Sequence, residues 1–224
     1  MKKRMISFAL SLTLILILAI PVGAAVSLDD TVEPTTLETI HDIFTHKGTC
    51  QVFDSNGNDI TTIFLQRNQS NYDNENFAAI AKDMGDNGVC TFEPTQPTAP
   101  TIAPRIDLWT SVTCKITMTY KYNGTKTATA ETHPRVKAYV HDSTGNFISV
   151  NPAVLENSKS GLTGATVSGG GHDVLIDGGN SRTSQQVHFK VSKNGKSVYS
   201  NWSTVWWAGQ NTLKATRIDL VGSL

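Results

Sequence analysis

The residues of this chain that could carry out chemistry are three cysteines and six histidines. The thiols of Cys50, Cys90 and Cys114 could act as nucleophiles, as metal ligands or as halves of a disulfide bond. The histidines have neither the H-E-x-x-H pattern nor the spacing of Cys/His metal ligands, and His172 with Asp173 lies beside a glycine-rich loop. The sequence therefore predicts no metal site and no cofactor, and catalysis would need a site assembled in three dimensions.

The segment from Thr110 to Cys114, which reads T-S-V-T-C, resembles the nucleophile motif Thr-Leu-x-Thr-Cys of sortases, a family of secreted thiol enzymes built on a β-barrel. The resemblance implies that Cys114 is the nucleophile. However, Ser111 replaces the leucine, and Cys114 shares the apolar side of its segment with Val112, where burial raises the pKa of a thiol. We therefore expect Cys114 in the core and a binding protein in preference to an enzyme.

In an oxidising compartment, three cysteines are expected to form one disulfide bond and to leave one free thiol. We predict the bond between Cys50 and Cys90, because each lies next to an apparent strand at one end of an acidic segment. The alternative is a bond between Cys90 and Cys114, which would connect the two halves of the chain.

Residues 1–25 have the pattern of a secretory signal peptide. A basic start is followed by an apolar run over residues 5–22 and then by the small residues Ala24 and Ala25. We expect cleavage near Ala24 or Ala25 and a secreted, extracellular protein.

The chain has 19 acidic and 19 basic residues, but they are unevenly distributed. Residues 26–93 hold twelve of the acids and three of the bases, whereas the rest of the chain to residue 224 holds thirteen bases and seven acids. The two halves therefore have opposite charge. We expect the basic half either to meet an anionic partner or to be covered by the acidic half, and we expect no nucleic-acid partner.

An alternating segment from Val112 to Tyr122 predicts a long half-buried strand, with apolar residues on one side and Thr and Lys on the other. The turn at Asn123 and Gly124 predicts a hairpin, and burial favours a three-residue loop that places Ala128 opposite Tyr120. Short strands and turns then continue to the end of the chain. We therefore predict a mainly β fold, with a C-terminal antiparallel β-sandwich that is Ig-like or jelly-roll-like.

A small acidic α+β segment is predicted to precede this sandwich, over residues 26–93. It contains predicted helices at 36–47 and around 77–84, and predicted short strands at 51–53 and 60–65. Residues 94–104, which read P-T-Q-P-T-A-P-T-I-A-P, predict an extended Pro/Thr-rich linker. Residues 105–224 form the predicted basic β-sandwich domain.

The run N-W-S-T-V-W-W-A-G is the first candidate for a binding surface. In a strand, Trp202 and Trp206 share one side about 13 Å apart, whereas Trp207 lies on the other side. One side must belong to the core, and the other can stack on sugar rings or on the apolar surface of a partner.

Lysines on the alternating strand and near a second Asn-Gly turn predict a basic surface that could dock onto a polyanion. The candidates are Lys115, Lys121, Lys190, Lys193 and Lys196.

Together these patterns predict a secreted, non-enzymatic binding protein whose partner is an anionic or glycan cell-surface polymer, or a protein. The alternative is a membrane-active toxin or bacteriocin-like protein that inserts its amphipathic Thr-rich hairpin, so that contact with a membrane stays open.

Overall fold

The computed structural model describes residues 32–95, 108–141, 143–210 and 213–224. The signal peptide predicted at residues 1–25 lies outside the described residues, as does the predicted linker from residue 96 onward. The helices are α1 (Pro34–Thr45), α2 (Thr61–Asp73) and α3 (Phe77–Asn87). The strands are β1 (Gln51–Phe53), β2 (Cys90–Thr95), β3 (Leu108–Tyr122), β4 (Lys126–Val140), β5 (Phe147–Val150), β6 (Val154–Ser160), β7 (Thr166–Ile176), β8 (Arg182–Lys193), β9 (Lys196–Trp207) and β10 (Leu213–Ser223).

The strands form two antiparallel sheets. Sheet one has the order β1-β2-β3-β4-β5, and β6 also pairs with β4. Sheet two has the order β10-β9-β8-β7. The predicted mainly β fold with a small N-terminal part that contains helices is confirmed.

The register of both Asn-Gly hairpins follows the predicted pattern. Tyr120 lies opposite Ala128 across a three-residue loop, and Val191 lies opposite Val198 across a two-residue turn. Asn123 adopts a positive φ of 48°, which asparagine tolerates better than most residues. The apolar side of β3 therefore faces one way along its whole length.

The main hydrophobic core lies between the two sheets. Sheet one contributes side chains such as Phe92 and Met118, and sheet two contributes Phe189, Trp202 and Trp206. Phe92 belongs to β2, which pairs with β3 over six residue positions. The predicted boundary after residue 93 therefore falls inside a strand of sheet one.

The helices form a second hydrophobic core on the other side of sheet one. Glu33 caps α1, because its carboxylate accepts hydrogen bonds from the backbone N–H groups of Thr35 and Thr36 at 2.8 and 3.0 Å. The strand predicted at residues 60–65 is wrong, since this segment begins α2. Helix α2 buries only Phe64 and Asn68 and leaves Ile63 exposed, so its apolar residues show no helical periodicity.

The three cysteines are free and buried, and the predicted Cys50–Cys90 disulfide bond is not formed. Cys50 belongs to the helical core, whereas Cys90 belongs to the core between the sheets. The two side chains therefore point to opposite faces of sheet one, and a disulfide needs Cβ atoms about 3.5–4.5 Å apart. The alternative partner, Cys114, is also distant, because Cys90 lies opposite Met118 and four residues of strand span about 13 Å.

Candidate functional site

Two of the three candidate tryptophans belong to the core. Trp202 and Trp206 are buried between the sheets, and their indole N–H groups donate to Ser200 Oγ at 2.9 Å and to the Gln210 carbonyl at 2.6 Å. Trp207 is half-buried on the outer side of sheet two. Of these three rings, Trp207 is therefore the one that a ligand can reach.

The outer side of sheet two, which we call the sheet-two face, presents alternate residues of β8 and β9. All of these side chains are half-buried or exposed, because the intervening residues fill the core. This face includes Arg182, Gln186, His188, Lys190, Tyr199, Asn201, Ser203 and Trp207.

Neighbouring strands are linked by hydrogen bonds across this face. Gln186 Nε2 donates to Ser203 Oγ at 2.9 Å, and His188 Nδ1 lies 2.8 Å from Asn201 Oδ1. The rings of His188 and Tyr199 lie 5.3 Å apart. Cross-strand pairs of this kind hold amide, hydroxyl and ring groups in fixed positions on a rigid sheet.

Basic side chains lie at both ends of the same face. Lys190 is paired in register with Tyr199, and Arg182 with Trp207. Lys214 of β10 places its ammonium 5.5 Å from the centre of the Trp207 ring. The sheet-two face thus combines hydrogen-bonding groups, accessible rings and positive charge.

Lys115 and Lys121 do not form a free basic surface, because both pair with acidic groups of the helices on their side of sheet one. Lys115 Nζ lies 2.6 Å from Asp42 Oδ2 and 2.9 Å from Glu131 Oε2. Lys121 forms an ion pair with Asp86. The prediction that the acidic half folds onto the basic half is confirmed at these two lysines.

The Glu131 carboxylate and the Lys115 ammonium stay charged although both side chains are largely buried. Burial alone would raise the pKa of the Glu131 carboxyl, but hydrogen bonds from His133 and Lys115 outweigh it and lower the pKa to about 2. Burial would likewise lower the pKa of Lys115, but its bonds to Asp42 and Glu131 raise it. This network therefore links α1 to sheet one, and Lys115 is not free to bind an anionic partner.

The Thr-rich β3–β4 hairpin is covered on its apolar side and, around Thr129, on its other side as well. Its apolar side lies in the core between the sheets, and Thr129 on its other side shares a 2.9 Å hydrogen bond with Thr36 of α1. Insertion of this hairpin into a membrane would require both layers to separate from it. No described helix is long and apolar enough to cross a membrane.

Lys193 and Lys196 lie at a cleft of 270 Å³ where the tips of the two Asn-Gly hairpins meet. Lys193 Nζ donates to the Thr163 carbonyl at 2.7 Å, whereas Lys196 is exposed. The cleft is lined by Tyr122, Asn123, Leu162, Lys193, Asn194, Lys196 and Leu224. The fold thus brings together two Asn-Gly turns that are 71 residues apart in the chain.

An aromatic pair, the exposed Trp109 and the half-buried Tyr139, was missed in the sequence. The two residues are opposite each other in β3 and β4, and their ring centres lie 5.2 Å apart with a 43° tilt. Trp109 is 51% exposed, and Lys137 Nζ lies 4.7 Å from the centre of its ring. The alternation of β3 already places Trp109 on the Thr/Lys side of the strand, and this signal would have identified it.

The thiols and histidines form no evident reaction centre in the described residues. Burial raises the pKa of Cys50 and of Cys90 to about 12, and it also raises the pKa of Cys114. His172 Nδ1 lies 2.9 Å from Asp173 Oδ2, and both side chains are exposed. No group of three or more His, Cys, Asp or Glu residues within the described ranges is placed to hold a metal ion.

Comparisons with protein families, with curated proteins and with solved structures found no match.

Proposed function

We propose that this protein is a secreted, non-enzymatic binding protein that contacts an anionic glycan of the cell surface through the sheet-two face. The observation that supports this proposal is the accessible row of hydrogen-bonding side chains on β8 and β9, with Trp207 and Tyr199 as rings. The signal-peptide pattern of residues 1–25 supports secretion.

The chemistry of the face fits a saccharide. Sugar hydroxyls both donate and accept hydrogen bonds, as do the side-chain amides of Gln186 and Asn201. The apolar C–H face of a sugar ring can pack against an accessible ring such as Trp207.

The charge of the face favours an anionic polymer over a neutral one. Arg182, Lys190 and Lys214 provide three positive charges on the same side of sheet two. Such charges attract a polyanion and speed its association, and salt weakens this attraction.

We infer that the two antiparallel sheets form an Ig-like or jelly-roll-like sandwich, because their apolar sides share one core. A flat outer sheet side in such a sandwich is a suitable surface for an extended chain of sugars.

Binding to purified cell-wall polymers and to arrays of neutral and acidic glycans tests the proposal. The double variant W207A/K190Q should lose roughly tenfold or more in affinity, because it removes one stacking ring and one charge. The control is Lys82→Gln, which removes an exposed lysine from α3. The proposal fails if the unmodified protein binds no glycan, or if the double variant binds as tightly as the control.

A further inference from the structure

The aromatic pair on sheet one lies on the opposite side of the molecule from the sheet-two face, because the main core separates the two sheets. We propose that Trp109, Tyr139 and Lys137 form a second binding site, which takes one ring of an acidic sugar. This site does not depend on the sheet-two face, so either proposal can fail alone.

The exposure of Trp109 is unusual for this chain. Trp202 and Trp206 are buried, whereas about half of the Trp109 side chain is accessible. An exposed tryptophan beside a second ring provides apolar area without filling the core, which is a feature of interaction surfaces. The tilt between the rings of Trp109 and Tyr139 leaves them side by side and not closed into a face-to-face stack.

The position of the pair is fixed by the strand register. Trp109 and Tyr139 are direct partners in two antiparallel strands, so their side chains leave the sheet on the same side. The next outward positions hold Ser111, opposite Lys137, and Ser149, opposite Tyr139. These short side chains add hydroxyl groups next to the rings, while Lys137 Nζ lies over one face of the Trp109 ring.

The helices cover another part of this sheet side. Their ion pair reaches β3 at Lys115, which is six residues from Trp109 and therefore about 20 Å along the strand. The aromatic pair thus lies outside the part of β3 that packs against the helices, which is the part that buries polar residues.

The charge beside the rings selects an acidic sugar. Lys137 is exposed and forms no ion pair with another described residue, whereas the neighbouring outward cation, Arg135, is paired with Glu156 at 2.7 Å. A sugar ring that stacks on Trp109 could place a carboxylate within reach of Lys137 Nζ. A neutral sugar would leave this cation without an anion, and a phosphate alone would not use the rings.

Isothermal titration calorimetry with oligogalacturonate, a polymer of acidic sugar rings, tests this site on the full mature chain. The sheet-two face could bind the same polymer, so the titrations use the W207A/K190Q variant as background. In that background, Trp109→Ala should weaken binding roughly tenfold or more. Lys137→Gln should reduce the preference for oligogalacturonate over the neutral cellohexaose.

The result expected is a saturable signal in the background variant that Trp109→Ala weakens by this amount, while circular dichroism shows an unchanged fold. Tyr139→Ala provides a second test if Trp109→Ala folds poorly. The proposal is overturned if the background variant binds no oligogalacturonate, or if neither aromatic substitution weakens binding. It is also overturned if the rings mediate self-association, seen as a concentration-dependent dimer that Trp109→Ala abolishes.

Discussion

Lys115 occupies a position where two acidic groups from different layers meet, Asp42 from α1 and Glu131 from β4. The Lys115 side chain is only 15% exposed. Removing its ammonium therefore leaves the buried Glu131 carboxylate without a positive charge that offsets the cost of burial. We expect Lys115→Met to lower the free energy of unfolding by about 3 kcal/mol, measured by urea denaturation.

Lys121→Met is the matched control, because Lys121 is on the same strand side and pairs with an acidic residue of the helices, but both partners are well exposed. Its effect should be less than about 1 kcal/mol. Equal effects of the two substitutions would contradict the importance of the buried network.

The lowered pKa of Glu131 also predicts that the free energy of unfolding depends on pH. Its pKa is lowered from 4.5 to about 2 in the folded protein, so the folded state binds fewer protons than the unfolded state between these values. The stabilisation from this group is therefore complete above pH 4.5 and is lost as the pH falls toward 2, by up to about 1.4 kcal/mol per pH unit. In Glu131→Gln, urea denaturation at several pH values should show a shallower decline. An unchanged slope would be evidence against this assignment.

The buried state of the three cysteines predicts how they react with a thiol reagent. Since Cys50, Cys90 and Cys114 are buried, free and raised in pKa, a thiol reagent such as DTNB should label the native protein very slowly and should label all three after unfolding. Intact mass measured without reductant should correspond to three thiols. A mass two hydrogens lower would show that a disulfide forms.

The glycines of β7 differ in how much room they leave for a Cβ atom. A Cβ atom at Gly171 would lie 2.2 Å from the backbone nitrogen of Ala153, whereas at Gly170 the nearest atom is the Ala153 carbonyl oxygen at 3.5 Å. We therefore expect Gly171→Ala to lower the melting temperature and to cost about 1–3 kcal/mol through overpacking. Gly170→Ala should be nearly neutral. The prediction fails if the two variants have the same stability in thermal unfolding.

The elements that the sequence predicted well are those whose pattern is local. The alternation of β3 and the burial of Ala128 opposite Tyr120 follow from a period of two, and the structure has both. Helix α2 was mistaken for a strand because its apolar residues are adjacent in sequence and only Phe64 among them is buried. The side of β3 on which Trp109 lies follows from the same alternation, whereas its contact with Tyr139 depends on the pairing of β3 with β4.

At the scale of the whole molecule, the opposite charge of the two halves predicts only part of their contact. Opposite charge predicts the contacts of Lys115 and Lys121, but it does not predict that the acidic half supplies two strands of sheet one. Phe92 of β2 lies in the core between the sheets, and that burial follows from its apolar side chain. The two halves are therefore joined by hydrogen bonds and apolar packing in addition to ion pairs.

This architecture predicts how a chain cut between the halves behaves. A protease site introduced between residues 97 and 103 would leave β1 and β2 on the first fragment and the other strands on the second. We expect the fragments to stay together during size-exclusion chromatography in about 1 M sodium chloride, because salt screens ion pairs but not the pairing of β2 with β3 or the burial of Phe92. Phe92→Ala should make the cut protein separate more readily, whereas Lys121→Met should have little effect. If the cut protein separates on addition of salt alone, the ion pairs hold the halves together, and the strand pairing contributes less than its six residue positions suggest.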